Sequence, residues 1–255
     1  MSARVAWISI SPVKGLALRQ LEECELTEAG VTGDRAFFLV DDEDRLVNSK
    51  GLGALQQIVP RYDDAADSLS LAFPDGTTVA QELGFDGSVD ARFWGATVPV
   101  RVVVGPWNEA ISDFAGRKLR LVRAPGPATD RLRSGAATLL GTGSLRAIER
   151  LLGTPVDGRR FRMNFGVDGL DEHEEDGWLG RRVRLGDAVV VPQGNVGRCA
   201  VTTQNPETGA PDLDTLKALA AYRQDVESTE PLPFGVHAAV AEPGRVRVGD
   251  AVEPS

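Results

Sequence analysis

The chain contains many short runs in which apolar residues alternate with polar ones or stand together, and Gly, Pro, Asp or Asn ends each run. Alternation over about four to eight residues is typical of β-strands. The runs predict strands at RVAWISI (4–10), AFFLV (36–40), LSLAF (69–73), VPVRVVV (98–104), KLRLV (118–122), RVRL (182–185) and AVVVP (188–192). Many short strands separated by turns favour a mainly β protein of the barrel or sandwich type.

Three segments place apolar residues three or four positions apart, which predicts amphipathic helices at 108–117, 145–153 and 213–223. Ser144 is the expected N-cap of the second helix and Gly153 its expected end. Asp212 or Asp214 is expected to cap the third helix. We expect these helices to cover a β-sheet, and none of them carries a binding signal.

A loop-rich passage, VRAPGPATDRLRSGAATL (122–139), favours a domain junction or a mobile loop at an active site. A chain of 255 residues is long enough for two modest domains. We therefore expect an N-terminal domain over 1–122 and a C-terminal domain over 123–255.

Composition and charge limit the classes of function and partner that the chain can have. The chain is 42% hydrophobic and 25% charged, which is ordinary for a soluble globular protein. Its net charge of -9 argues against nucleic acid as a main partner, because neutralising a phosphate backbone requires a basic face. The charge does not exclude a small anion in a local basic pocket, since the field within a site is set locally.

The chain has two cysteines, Cys24 and Cys199, without paired spacing, so a disulfide framework is not expected. The N-terminus lacks the basic and apolar regions of a signal peptide, and no apolar run is long enough to span a bilayer. We expect a cytoplasmic protein with no membrane association. If a partner is needed for electrons or for delivery, it must come from outside the chain.

The common catalytic motifs are missing from the sequence. His173 and His237 are its two histidines, which argues against a zinc enzyme with several histidine ligands. His173 lies in DEHEEDGW (171–178), which is not HExxH and which we interpret as a solvated acidic turn. No GxSxG elbow, P-loop or strand-linked GxGxxG occurs.

Several basic residues lie beside turns or strand ends, among them Lys14, Lys50, Arg162 and Arg198. Each alone is more typical of a solvated surface charge. Together, on an acidic chain, they form a candidate pocket for a phosphorylated cofactor. A lone cysteine such as Cys199 is by default a small buried hydrophobe.

A series of short motifs gives these residues a context. The N-terminal part contains SPVKGL (11–16) and GVTGDRAFFLVDDEDRLVNSK (30–50). The C-terminal part contains FRMN (161–164), EEDGWLG (174–180), LGDA (185–188), GRCAVTTQNPETG (197–209), TLKALAAYR (215–223), PLPFG (231–235) and VRVGDAV (246–252). In their joint order and spacing these motifs resemble the MOSC family, named for the C-terminal domain of molybdenum cofactor sulfurase. The layout is similar to two-part members such as the mitochondrial amidoxime-reducing component and its bacterial relatives.

The resemblance implies a mainly β fold with some helices, in which a MOSC-type β-barrel domain packs against a smaller N-terminal β-rich domain. It also implies that Cys199 is the catalytic residue, as the protein's thiolate ligand to the molybdenum of a molybdopterin cofactor. A soft thiolate suits such a metal. Arg198 either helps to hold this thiolate or, by strand alternation, points to the opposite face.

The resemblance assigns the cofactor-binding candidates one at a time. Lys14 matches the lysine of a proline–valine–lysine motif that contacts the cofactor, and Gly15 stands where relatives often have a small polar residue. Lys50 stands where close relatives have an arginine, so it keeps the charge but lacks the planar fork of a bidentate phosphate contact. Arg162 and Asn164 match an arginine and an asparagine that border the same site.

Three further positions carry over from the family. Ser134 and Gly135 fall near a loop whose hydroxyls and amides hold the terminal phosphate of the cofactor. His237 stands where relatives often have a tyrosine, and the sequence leaves open whether it lines the pocket or is structural.

Two other motifs have a structural interpretation. Gly33-Asp34-Arg35 is interpreted as a turn with an internal Asp–Arg contact. The segment 205–209 is interpreted as a tight turn that orients the strand carrying Cys199. Cys24 matches no family site and is interpreted as inert core.

The resemblance implies a molybdenum-cofactor-dependent oxidoreductase that reduces N-hydroxylated compounds or transfers an oxygen atom. The cofactor would carry the redox chemistry, so the protein needs no base or nucleophile of its own. Because the chain has no iron–sulfur cysteine set, a ferredoxin-like or flavin-linked donor is implied as partner, beside a small-molecule substrate. Two alternatives stay open: a cofactor carrier or sulfur-transfer module without reductase turnover, and a persulfide relay at Cys199 without molybdopterin.

Overall fold

The structure, a computed structural model, describes residues 2–126 and 135–255. Its N-terminal half contains the strands β1 (Arg4–Ile10), β2 (Arg19–Leu21), β3 (Glu23–Thr27), β4 (Gly30–Val31), β5 (Phe37–Val40), β6 (Leu46–Val47), β7 (Val59–Asp63), β8 (Ser68–Ala72), β9 (Thr78–Glu82), β10 (Gly84–Phe93), β11 (Ala96–Val104) and β12 (Arg120–Arg123), and helix α1 (Trp107–Ala115). Its C-terminal half contains β13 (Ala137–Gly141), β14 (Phe165–Asp168), β15 (Val183–Leu185), β16 (Ala188–Asn195), β17 (Val236–Glu242), β18 (Gly244–Arg247) and β19 (Val252–Pro254), and helices α2 (Thr142–Leu152) and α3 (Thr215–Arg223). Every predicted strand overlaps an observed one, and the expected class, mainly β with some helices, is confirmed.

The largest sheet combines strands from both ends of the chain. It has eight strands in the order β19-β15-β16-β17-β13-β14-β1-β2. The pair β13–β14 is parallel, whereas β1 runs antiparallel to both β14 and β2. Gly166 on β14 lies opposite Trp7 on β1, and a Cβ at Gly166 would lie 2.1 Å from the indole ring. The N-terminal strand therefore packs closely on the C-terminal half.

A second strand pairing joins the same two parts. Strand β3 pairs antiparallel with β18 and with β4 in a three-stranded sheet. Cys24, Leu26 and Val246 from this sheet share one buried core with residues of the eight-stranded sheet, such as Phe165. Strands β1 and β3 from the N-terminal half therefore pair with the edges of β14 and β18, and the boundary between 1–122 and 123–255 stays a prediction.

The rest of the N-terminal half has its own core. A five-stranded sheet, β10-β11-β12-β5-β6, and a three-stranded sheet, β7-β8-β9, pack with α1 around Phe37, Leu69 and Trp107. The buried Trp107 indole N–H donates a hydrogen bond to the Leu69 carbonyl at 3.1 Å. The buried Trp107 side chain, with its indole N–H hydrogen-bonded, therefore anchors α1 on the sheet.

The three helices lie where the sequence predicted them, but not every predicted capping residue is confirmed. Helix α2 begins at Thr142, and Ser144 lies inside it rather than at the N-cap, which is Gly141. Gly153 follows the helix with φ 68°, as expected for a left-handed C-cap. Asp214 occupies the N-cap of α3 without a side-chain capping bond. None of the helices within the described ranges is long and apolar enough to cross a membrane.

The segment 171–178 is not the solvated acidic turn expected from its sequence. It contains a 3-10 helix (Glu174–Trp178) in which Glu175 and Trp178 are buried. One carboxylate oxygen of Glu175 accepts hydrogen bonds from the Gly141 N–H at 3.1 Å and the Ser144 hydroxyl at 2.7 Å. Glu175 therefore supplies a hydrogen-bond acceptor to the N-terminus of α2.

Substituting Glu175 by glutamine should change how stability depends on pH. Burial is the main cause that raises the pKa of Glu175. A raised folded-state pKa means that the residue stabilises the fold in its protonated form, and this contribution is lost as pH rises through that pKa. We therefore expect thermal melts between pH 4 and pH 8 to show the variant gaining stability relative to wild type as pH rises. An equal difference at both ends of that range would contradict this assignment.

Candidate functional site

Most of the predicted site residues meet around one cavity of about 200 Å³, which receives lining residues from both halves of the chain. The predicted residues that line it are Lys14, Gly15, Lys50, Gly135, Arg162, Arg198, Cys199 and His237. Asn164 is not among the lining residues, and Ser134 lies outside the described residues.

Cys199 lies in a loop and not on the strand that the sequence predicted. It is exposed, follows the end of β16 and precedes a 3-10 helix (Ala200–Thr203). The hydroxyls of Thr202 and Thr203 donate to the Cys199 and Ala200 carbonyls at 3.1 and 2.7 Å, which closes the turn. Such local side-chain bonds compete with strand formation. The default interpretation of Cys199 as a buried hydrophobe is therefore wrong, and its thiol is accessible from the cavity.

Arg198 is buried beneath the loop that exposes Cys199. Its guanidinium donates to the Phe161 carbonyl at 2.8 Å and, through Nε, to the Phe234 carbonyl at 2.9 Å. Burial lowers the pKa of Arg198 to about 9, and the neighbouring Cys199 thiolate acts in the opposite direction. These hydrogen bonds fit the second of the two expectations for Arg198, in which its side chain points to the opposite face.

Arg162 ties the two halves of the chain together at the cavity wall. Its guanidinium donates to the Ser11 hydroxyl at 3.0 Å, the Leu16 carbonyl at 2.7 Å and the Gln56 side-chain carbonyl at 3.3 Å. Burial and the charge of Arg35 lower the pKa of Arg162 to about 10. With these donors engaged by protein acceptors, Arg162 acts on a ligand chiefly through its charge and by shaping the wall.

Asp34 organises the polar layer behind this wall. It forms an ion pair with Arg35, as the sequence predicted, and accepts hydrogen bonds from the Ser11 N–H at 2.7 Å and the Asn164 amide at 2.9 Å. The Thr138 hydroxyl donates to the Asn164 side-chain carbonyl oxygen at 2.9 Å. Asn164 thus lies one layer behind the cavity surface, where it supports Thr138, which does line the cavity.

Lys14 and Lys50 reach the cavity from two loops held close together. Gly15 has φ 92°, and a Cβ there would lie 2.9 Å from the Asn48 Cα, so only glycine allows this approach. The Lys14 ammonium lies 5.5 Å from the Phe93 ring centroid. Lys50 is exposed. The close approach of the two backbones at Gly15 and Asn48 therefore brings both lysines to the same cavity.

His237 lies on β17 at the cavity, opposite Thr138 on β13, and is 6% exposed. Gly194 on β16 faces it, and a Cβ there would lie 2.9 Å from the His237 Nε2. The imidazole is thus packed against backbone while still lining the cavity. His237 combines the two roles that the sequence left open.

The cavity is basic although the chain is acidic. Six cationic side chains line it: Lys14, Arg35, Lys50, Arg160, Arg162 and Arg198. No Asp or Glu side chain occurs among its described lining residues. Arg35 and Arg160 are neutralised by Asp34 and Asp212, the latter pair at 2.7 Å. Because cationic side chains outnumber acidic ones along the described lining, the field there suits an anionic group.

Trp94 and Arg160 also line the cavity, and sequence reasoning missed both. Arg160 is adjacent to a motif that was recognised, and its guanidinium donates to the Gln204 carbonyl at 2.8 Å, beside the Cys199 loop. Trp94 lies far along the sequence from every recognised motif, at the turn between β10 and β11. A bulky Trp-Gly pair between two alternating runs was the available signal.

Comparison with known protein families identifies the domains of this chain. The MOSC domain family matches residues 131–253, and the MOSC N-terminal beta barrel domain matches residues 2–115. The chain contains a MOSC domain preceded by a MOSC N-terminal beta barrel domain. The two matches include all the cavity residues described above and the exposed Cys199.

Several proteins are similar to this MOSC protein over most of its length. Mitochondrial amidoxime-reducing component 1 of Homo sapiens is 25% identical over 97% of this chain and 82% of its own length. Molybdenum cofactor sulfurase 2 of Aedes aegypti is 24% identical over 86% of this chain but only 28% of its own length. The YuaD protein of Bacillus subtilis has a similar fold, with a TM-score of 0.50 and 14% identity over 99% of this chain and 94% of its own.

Proposed function

We propose that this MOSC protein is a molybdenum-cofactor-dependent oxidoreductase that reduces N-hydroxylated compounds or transfers an oxygen atom, with Cys199 as its ligand to molybdenum. The observation that carries the proposal is an exposed thiol beside a cavity with six cationic side chains and no acidic one among its described lining residues. A thiolate is a suitable ligand for a soft metal site, and basic groups suit a phosphorylated cofactor.

The residues present fit a cofactor that brings most of its own metal ligands. Within the described residues no group of three His, Cys, Asp or Glu side chains is placed to hold a metal ion. A metal at Cys199 would therefore take no more than one further ligand of these types from the described residues, and the others from the bound molecule. Molybdopterin, whose own sulfur atoms ligate the metal, meets this requirement as the resemblance to the family implies.

Each part of the cavity has a distinct task in this proposal. Lys14 and Lys50, on the rim, would hold the anionic phosphate end of the cofactor, together with backbone at Gly135. Arg162 and Arg198, whose donors are engaged by protein acceptors, would supply positive charge near the thiolate. Because carbonyls and hydroxyls hold both guanidinium groups in place, little reorganisation is needed when an anion binds.

The bound cofactor would supply the change of metal oxidation state that reduction requires. Cleavage of the N–O bond of an N-hydroxylated compound consumes two electrons and two protons and gives the amine-type product and water. The electrons would come from an external ferredoxin-like or flavin-linked protein. Cys24 is buried, and burial raises its pKa to about 12, so it is not placed to join a redox relay.

Metal and pterin analysis of the purified protein tests the proposal. Protein made in a host that synthesises molybdopterin should carry about one molybdenum and one pterin per chain, and should reduce an N-hydroxyamidine with an artificial electron donor. Cofactor without turnover with any donor would instead support a cofactor carrier. Absence of both molybdenum and pterin would contradict the proposal, and a sulfane sulfur on Cys199 in such protein would support a persulfide relay.

A further inference from the structure

The tip of the β10–β11 hairpin carries a residue that its turn geometry disfavours. Phe93 pairs with Ala96, so Trp94 and Gly95 form a two-residue loop. Their φ angles are 49° and 87°, and positive φ at both loop residues is the mark of a type I′ turn. Asn, Asp or Gly is preferred at the first of these positions, whereas a bulky side chain is strained there. A residue that is disfavoured by the geometry of its own turn indicates a role outside that turn.

The Trp94 side chain lies at the cavity and not in a hydrophobic core. It is 53% exposed and lines the same cavity as Cys199. Of the other tryptophans, Trp107 and Trp178 are buried and Trp7 is half-buried. Trp94 is therefore the most exposed of the four tryptophans.

The position of the indole is nevertheless fixed. Trp94 contacts the Phe93 ring with centroids 6.4 Å apart, and Phe93 packs edge-on against the buried Phe38 at 5.2 Å. The Lys50 ammonium lies 5.7 Å from the Trp94 ring centroid. This series of contacts anchors the indole to the five-stranded sheet, so the cavity has a pre-formed aromatic wall.

We propose that Trp94 is the substrate-binding wall of this site and selects flat, conjugated N-hydroxylated compounds by stacking. The inference rests on the proposed function and adds the substrate class to it. Aromatic rings stack favourably in offset or edge-on geometry, and a tryptophan offers the largest surface for this. Because the described cavity residues include no carboxylate, the wall favours uncharged over cationic substrates.

Kinetics of two Trp94 variants test this role. For the holoenzyme we compare kcat/KM for an aromatic N-hydroxyamidine, benzamide oxime, with that for its aliphatic counterpart, acetamide oxime. In Trp94→Asn the ratio of aromatic to aliphatic kcat/KM should fall about tenfold, mostly through KM of the aromatic compound, and Trp94→Phe should retain part of the preference. An unchanged ratio in Trp94→Asn would overturn the inference.

Stability separates this role from a structural one. Asparagine suits the first position of the turn better than tryptophan, so Trp94→Asn should unfold at the same temperature as wild type or a higher one. A lower unfolding temperature together with an unchanged substrate preference would show that Trp94 is a structural residue.

Fluorescence gives a readout that does not depend on turnover. Titrating wild-type holoenzyme with benzamide oxime should quench the exposed tryptophan emission, and Trp94→Phe should lose this quenching. No quenching in wild type, or equal quenching in Trp94→Phe, would overturn the inference. Quenching at Trp94 without reduction of either compound would support the wall while contradicting the proposed reductase function.

Discussion

Replacing Cys199 by serine is expected to remove molybdenum and to lower reductase turnover by more than about 100-fold, since even changes behind a metal ligand cost about 10–100-fold. Serine has the shape of cysteine, but its hydroxyl is not a soft ligand. The fold should hold, because Cys199 is exposed and a substitution at such a position usually changes stability by less than about 0.5 kcal/mol. Metal analysis, steady-state turnover and thermal melts of the same preparation check the three parts of this prediction.

Cys24→Ala is the matched control, because it removes the chain's other thiol. Cys24 lies in the core shared by the two sheets that join both ends of the chain. Its loss should cost about 1 kcal/mol of stability through a small cavity, and should leave molybdenum content and turnover in place. Full molybdenum content in Cys199→Ser, or loss of the metal in Cys24→Ala, would contradict the assignment of Cys199 as the ligand.

Strand positions could be predicted from the sequence because alternation and turn residues are local signals. The pairing of strands could not be predicted in the same way. Strand β1 pairs with β14, and β3 with β18, across more than half of the chain. Which strand fills which sheet edge depends on contacts that no short window contains. Strands β1 and β3 therefore belong to sheets that also contain strands from the C-terminal half.

The candidate site shows the same limit at the level of single residues. Family motifs identified Lys14, Arg162 and Cys199, and the structure brings them to one cavity. The motifs did not distinguish a residue that lines the cavity from Asn164, which supports it from behind. Trp94 was missed because its part in the site depends on where a hairpin tip reaches, which is a property of the packed sheet.

The acidic segment 171–178 is a further case in which local composition gave the wrong environment. Its charges predicted a solvated turn, yet Glu175 is buried as a partner for the start of α2. The unpaired N–H groups of the helix N-terminus require a hydrogen-bond acceptor at that position. The need for such a partner arises only when α2 packs against this segment, so no sequence pattern within 171–178 indicates it.

Substituting Gly209 by alanine is expected to cost about 3 kcal/mol or more, because it combines backbone strain with a steric clash. Gly209 has φ 72°, and a Cβ there would lie 1.9 Å from the Gly53 carbonyl oxygen. Around this contact, Gln204 donates to the Ser49 carbonyl and Gln57 to the Thr208 carbonyl, at 2.8 and 3.1 Å. The variant should therefore separate the loop that follows Cys199 from the N-terminal half of the cavity wall.

Gly87→Ala is the matched control, because it introduces the backbone strain without the steric clash. Gly87 has the same φ of 72°, but nothing lies within 4 Å of a Cβ placed there. Its substitution should cost only the left-handed penalty of about 1 kcal/mol, with molybdenum content unchanged. Gly209→Ala should melt lower than Gly87→Ala and should lose cofactor, because Lys14 and Lys50 stand on the side of the cavity from which the loop is displaced. Equal melting temperatures and equal molybdenum contents in the two variants would show that contact between the Cys199 loop and the N-terminal half is not needed to hold the cofactor.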